Sequence, residues 1–231
     1  YYQQLREYEL RTDEPIKGME IRKKLYYLVK LFLSLDEIIS QREVVILNDK
    51  RENIVECFSG NKKNLKKGNS KVYSCTHIGR YDIETAIKGI NEQCYFVMAD
   101  PGVSYKNLDG IILRLNGVSW FDMYCSIDRH ATNVRQLKIL SNGGNELVFP
   151  EQAYNLEPIQ IVGDLHPGPF KRAIKTDSYV IPVSMEQYQK QNKKTYVLNI
   201  GNVFDVESIS LEHAKELSHF IKNEMIRLKK E

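Results

Sequence analysis

Short apolar runs of strand length recur along this chain with helix-patterned stretches between them, and no other feature of the sequence restricts its fold so much. The runs fall at residues 44–48, 71–76, 94–99, 146–149, 178–183 and 196–200. Across residues 16–40, Ile21, Leu25, Leu28, Val29, Phe32, Leu35 and Ile39 recur at helical spacing. Further helices are predicted over 82–89, over 130–141 with Gly143-Gly144 as its stop, within 161–175, and over 211–228. Buried strands alternating with helices predict an α/β fold: a mixed, largely parallel sheet flanked by helices. No repeat, low-complexity tract or linker divides the chain. It is expected to form a single domain, an amphipathic N-terminal helical segment (1–42) added to an α/β body (43–231).

Composition removes several function classes. Apolar residues make up 42% and charged residues 27%, the balance of a folded chain rather than a disordered one. Lys and Arg number 33 against 30 Asp and Glu, and a net charge of +3 is too near neutral to mark a nucleic-acid binder. The longest uncharged stretch, Thr195 to Phe204, is far short of the roughly 18 apolar residues that span a bilayer. Cys57, Cys75, Cys94 and Cys125 are scattered without a C-x-x-C pair, so neither a zinc site nor a disulfide framework is expected. Reduced thiols in a cytoplasmic setting are the simplest reading. The chain opens on Tyr1 rather than Met, which leaves open an upstream segment such as a signal or anchor.

The segment Ser74-Cys-Thr-His-Ile-Gly-Arg-Tyr-Asp82 concentrates the chemistry. A strand runs into His77 and a helix begins near Asp82, and open α/β sheets bind ligands where strand ends face helix starts. Asp82, five residues on, is placed to accept a hydrogen bond from one imidazole nitrogen. That bond fixes the tautomer and leaves the other nitrogen to take a proton from a hydroxyl. The helix dipole favours a negative charge at this position. The pair amounts to two thirds of a catalytic triad, with the substrate's own alcohol replacing the serine. Taken alone, it is also the kind of pair that five histidines produce by chance in a surface or core.

Three segments nearer the carboxyl terminus change that weighting. They are Ser126-Ile-Asp-Arg129, then Val148-Phe-Pro-Glu151, then Val180-Ile-Pro-Val183, each expected at the end of an apolar run. With the His77 segment they make four marks, and in this order over residues 71–183 they resemble the lysophospholipid acyltransferase family, the glycerolipid acyltransferases typified by acylglycerol-phosphate acyltransferase. The resemblance implies that His77 is the general base and Asp82 its orienting carboxylate. It implies that Arg129 binds the acceptor's phosphate or polar head, and that Phe149, Pro150 and Glu151 open a third box whose glutamate helps hold the acceptor. Ile181, Pro182 and Val183 would form the fourth box, on the acyl-donor side. The implied reaction moves a fatty acyl chain from acyl-CoA or acyl carrier protein to a glycerol hydroxyl, with no metal and no cofactor. The third box departs from the family: Gln152-Ala153-Tyr154 stand where Gly-Thr-Arg is usual, removing a permissive glycine and a planar phosphate partner. Met123 likewise stands in the second box where a glycine is usual. A glycolipid or other hydroxyl acceptor, such as a sugar, therefore stands beside lysophosphatidic acid. The rival reading is a non-catalytic lipid-binding or membrane-docking module on the same scaffold. Backbone N–H groups at a turn over 180–183, or at the helix start after His77, are the candidate oxyanion donors.

Other features read more simply. Lys62, Lys63, Lys66, Lys67 and Lys71 lie in a stretch without acids, either a solvated loop or an attraction for anionic headgroups or donor phosphates. The first helix reads as core-packing, or as an in-plane membrane helix that would bring a lipid acceptor to the enzyme. Peripheral contact with the inner face of the cell membrane is the consequence of the second reading. His166, in Gly163-Asp-Leu-His-Pro-Gly-Pro169, reads as structural, and His130 as a helix-start residue or an acceptor contact. No Gly-x-Ser-x-Gly elbow follows Gly117-Val-Ser-Trp-Phe121 or occurs elsewhere, and no dinucleotide or P-loop fingerprint is present.

Overall fold

Along the chain run α1 (Glu14–Ile39), β1 (Arg42–Asp49), β2 (Ile54–Glu56), β3 (Lys71–Cys75), α2 (Asp82–Ile90), β4 (Cys94–Met98), α3 (Leu108–Asn116) and β5 (Val118–Trp120). Then come α4 (Ser126–Ser141), β6 (Asn145–Val148), α5 (Gly168–Lys175), β7 (Tyr179–Lys190), β8 (Lys193–Ile200), β9 (Val203–Asp205), a 3₁₀ turn (Leu211–His213) and α6 (Ala214–Leu228). These come from a computed structural model that describes residues 14–64, 69–98, 108–120, 124–152, 161–190 and 193–230.

The strands form one mixed sheet in the order β1-β8-β7-β3-β6-β4-β5, with β9 paired to β2 and β7. The central part is parallel, since β3 pairs with β6 and β7, and β4 with β5 and β6. Strand β7 pairs antiparallel with β8 and β9, while β1 lies parallel to β8 at one edge. Successive strand residues point to opposite faces, and here both faces are buried. In β3, Val72 enters one core while Tyr73 and Cys75 enter the other; Val180 and Ile181 of β7 divide in the same way. Helices α1, α2 and α3 cover the first face with Val29, Leu33, Ile87, Ile90 and Ile112. Helices α5 and α6 cover the second with Phe170, Ala173, Leu217, Ile221 and Met225. Each of the larger side chains contributes about 1.5–3 kcal/mol by burial, and a one-residue slip of a central strand would exchange the residues it presents to the two cores.

Several sequence expectations are corrected. Residues 180–183 are not a turn; they lie inside the twelve-residue strand β7, with Val183 O accepting the Thr76 N–H at 3.1 Å. Pro182 is tolerated there because its carbonyl accepts the Gly201 N–H (2.9 Å) just where β8 gives way to β9. A residue's N–H and C=O share one side of a strand, so its missing donor falls at a break in the ladder. The helix expected over 130–141 begins at Ser126, so Ser126-Ile-Asp-Arg129 is its first turn rather than the end of an apolar run. Helix α3 and strands β2, β5 and β9 were not anticipated. The lysine-rich stretch leads into the amino end of β3, whereas His77 follows its carboxyl end, a separation of roughly 16 Å over five residues. Two of its lysines are engaged, Lys63 with Asp205 (3.1 Å) and Lys71 with Glu92 (2.8 Å), while Lys66 and Lys67 lie outside the described residues.

Helix α1 packs inward through Met19, Tyr26, Val29 and Leu33, and the Tyr26 hydroxyl donates to the carbonyl of Ile87 at 2.9 Å. Its opposite side carries Ile21, Leu28, Leu31, Leu35 and Ile38, all exposed, at helical spacing. Among the described residues no helix is long and apolar enough to cross a membrane.

Candidate active site

The site is built where β3 ends. Thr76 ties the strand end to β7: its Oγ1 accepts the Met185 N–H at 2.8 Å. The chain then leaves the sheet through His77, Ile78, Gly79, Arg80 and Tyr81, and α2 starts at Asp82. Asp82 is 1% exposed, and its Oδ2 receives three N–H groups. These are His77 Nδ1 at 2.7 Å, the Ile78 amide at 2.6 Å and the Gly79 amide at 2.9 Å. A carboxylate facing Nδ1 holds the proton on that nitrogen and leaves Nε2 as the basic one. The two amides explain why the carboxyl group sits at the helix start: it caps the turn while it orients the ring. The N-terminal dipole of α2 adds to this arrangement.

Phe149, Pro150 and Glu151 form the second wall. Phe149 follows β6, and its ring lies 4.9 Å from the imidazole of His77, tilted by 32°. Glu151 spans two loops: Oε1 accepts the His77 backbone N–H at 3.0 Å and Oε2 the Gly163 N–H at 2.6 Å. Pro150 O accepts the His166 N–H at 2.8 Å, so residues 163–166 are pinned to the same turn twice. A Cβ at Gly163 would meet Glu151 Oε2 at 2.8 Å and push that carboxylate aside. Gln152, in the position where the family has glycine, adopts φ 61°, and its N–H donates to Phe149 O at 3.1 Å.

His77, Asp82, Phe149, Pro150 and Glu151 thus form one connected group. Arg129 stands exposed on the first turn of α4; this helix follows β5, whose carboxyl end faces the same edge as those of β3 and β6. His130 is exposed beside it. Ile181 and Pro182 are buried within β7, paired with Tyr73 and Ser74, below the edge that His77 occupies. The expected oxyanion donors are otherwise engaged, Ile78 and Gly79 on Asp82 and residues 180–183 in the ladder. Met123, Phe121, Ala153 and Tyr154 lie outside the described residues. Sequence reasoning missed Thr76 and Gly163; the glycine and proline content of residues 163–169 was the one available signal. Among the described residues no group of three or more His, Cys, Asp or Glu is arranged to hold a metal. A shallow apolar cleft of about 430 Å³ lies between Phe58 and α6 and shares no residue with the His77 group.

Chemically, the group presents an imidazole of fixed tautomer at the carboxyl edge of a parallel sheet, its ring stacked and its backbone held. Such an imidazole can accept a hydroxyl proton through Nε2 and return it to a leaving group. No protein-family model matches the chain, and no curated protein matches it. Among solved structures it is similar to the crystal structure of the 1-acyl-sn-glycerophosphate (LPA) acyltransferase, PlsC, from Thermotoga maritima. The likeness has 20% sequence identity and a TM-score of 0.64, covering 96% of this chain and 84% of that one. At that identity the two share a fold, a mixed and largely parallel sheet flanked by helices.

Proposed function

We propose that the chain is an O-acyltransferase that moves a fatty acyl group from an acyl-CoA or acyl carrier protein thioester to a hydroxyl of a glycerolipid acceptor. The observation that carries this reading is the 2.7 Å contact between His77 Nδ1 and Asp82 Oδ2 at the end of β3. The shared fold with an LPA acyltransferase supports it. The acceptor hydroxyl attacks the thioester carbonyl as His77 Nε2 takes its proton. The tetrahedral oxyanion collapses, the C–S bond breaks, and the imidazolium protonates the departing thiolate. A thioester is already activated, so alignment and proton removal are the main tasks. Asp82 and Glu151 act by holding the imidazole and its backbone, and Arg129 contacts the acceptor's polar head. Tyr154 in place of the family's arginine favours an acceptor with less negative charge than lysophosphatidic acid. The exposed apolar stripe of α1 supports peripheral contact with a bilayer, from which the acceptor is drawn.

The test incubates the protein with a radiolabelled acyl thioester and a panel of lysolipids, glycolipids and water-soluble hydroxyl compounds. His77→Ala is expected to keep its circular dichroism and lose at least ~10²-fold in turnover. Arg129→Ala is expected to raise KM for an anionic acceptor. Vesicle binding without transfer by the unaltered chain would favour the lipid-binding module instead, and full activity in His77→Ala would remove the base.

A further inference from the structure

Arg42, the first residue of β1, carries a guanidinium that is almost wholly buried, its side chain 1% exposed. Cations are rarely buried unless paired, and the described neighbours of this one include groups of different kinds. It forms an ion pair with Asp36 of α1, and its Nε–H donates to Ser40 Oγ at 2.7 Å. Its Cζ lies over the ring of Tyr81, 4.1 Å from the ring centre. Arg80 approaches the same ring at 5.4 Å. Tyr81 closes the His77 loop and immediately precedes Asp82, and its carbonyl accepts the Thr85 N–H at 3.0 Å in the first turn of α2. A shift of Tyr81 is therefore a shift of the carboxylate that orients His77. The far end of α2 is fastened to the same helix by an ion pair between Lys88 and Glu37.

We infer that Arg42 is a positioning residue for the His77–Asp82 pair, acting through Tyr81, and that it ties the geometry of the pair to helix α1 through Asp36. Burying a charge pair brings little net stability over apolar residues of the same volume, so geometric control is what the arrangement supplies. Misplacement of reacting groups by about 1 Å costs up to ~10²-fold in rate, which sets the scale of the effect.

The test uses Tyr81→Leu, which removes the ring and leaves the ion pair intact, with Tyr81→Phe as the conservative counterpart. Arg42→Met combined with Asp36→Leu removes both charges together, so that no carboxylate is left buried alone. Two readouts are taken on chains of unchanged circular dichroism: the ¹⁵N shifts of the His77 ring, which report which nitrogen holds the proton, and kcat and KM for acyl transfer. Tyr81→Leu and the charge-pair variant are expected to mix the His77 tautomers and to lower kcat about 10-fold with KM within about 2-fold. Tyr81→Phe is expected to recover the Nδ1–H form and most of the rate. Unchanged ring shifts in both disruptive variants would overturn the inference. The kinetic arm rests on the acyltransferase reading and the ring shifts do not, so a chain that transfers nothing would sink that reading while the tautomer measurement still decides the role of Arg42.

Discussion

Gln152 occupies left-handed backbone, φ 61°, at the turn that carries Glu151. A side chain in this region costs about 1–2 kcal/mol, and glycine escapes it at some cost in unfolded-chain entropy. Gln152→Gly is therefore expected to raise stability by about 0.5–1 kcal/mol, read as a higher urea midpoint at unchanged slope. A lower midpoint would show that the glutamine makes a compensating contact. The contact between His77 and Asp82 was legible in the sequence, because a strand that ends one residue before a tight turn leaves few places for a carboxylate five residues on. The partners of Glu151 were not legible. Nothing in Phe149-Pro150-Glu151 says that its two oxygens face the amides of His77 and Gly163, which lie 74 and 12 residues away.

At the scale of elements, periodicity found the long helices and the wholly buried strands and missed what backbone pairing alone sustains. Strand β7 continues from Val183 through Glu186-Gln-Tyr-Gln189, a polar stretch, because β8 supplies its hydrogen bonds. Helix α3 escaped notice since Gly110 interrupts its nine residues, and β2, β5 and β9 have only three residues each. Helix α1 was found, but only its packing separates the buried side from the exposed one. The exposed side gives a direct test: Leu28→Glu with Leu31→Glu, at positions 45% and 55% exposed, is expected to shift stability by less than about 1 kcal/mol. The same pair of changes is expected to abolish co-sedimentation with anionic lipid vesicles. Retained sedimentation would assign bilayer contact to another surface.

For the molecule as a whole, the pH response of folding has an identifiable contributor beside the site. His166, though it reaches the surface, is held below the usual imidazole range by partial desolvation, and further by the cations of Arg172 and Lys171. Its Nδ1 accepts the Gly168 N–H at 3.2 Å, a bond that protonation of this nitrogen removes. Because the folded value lies below the unfolded one, near 6.5, the unfolded chain binds the proton first. The stability this residue contributes is present above that pH and is lost as pH falls through the folded value. His166→Gln is expected to narrow the difference in urea midpoint between about pH 7.5 and 5.5 relative to the unaltered chain. An equal difference in both would assign the pH response to other groups. The overall α/β architecture was legible because both faces of the central strands are buried, which leaves short apolar runs such as 94–98 and 179–183 in the sequence. The position of Lys71 was not, since only the strand direction of β3 reveals that it lies at the far edge from His77.

The single side chain of Glu151 braces two segments, the backbone at His77 through Oε1 and that at Gly163 through Oε2. Loss of that carboxylate would free the backbone at His77 and leave residues 163–166 on the Pro150 carbonyl alone, so the two sides of the doorway beside the imidazole hang in part on one hinge.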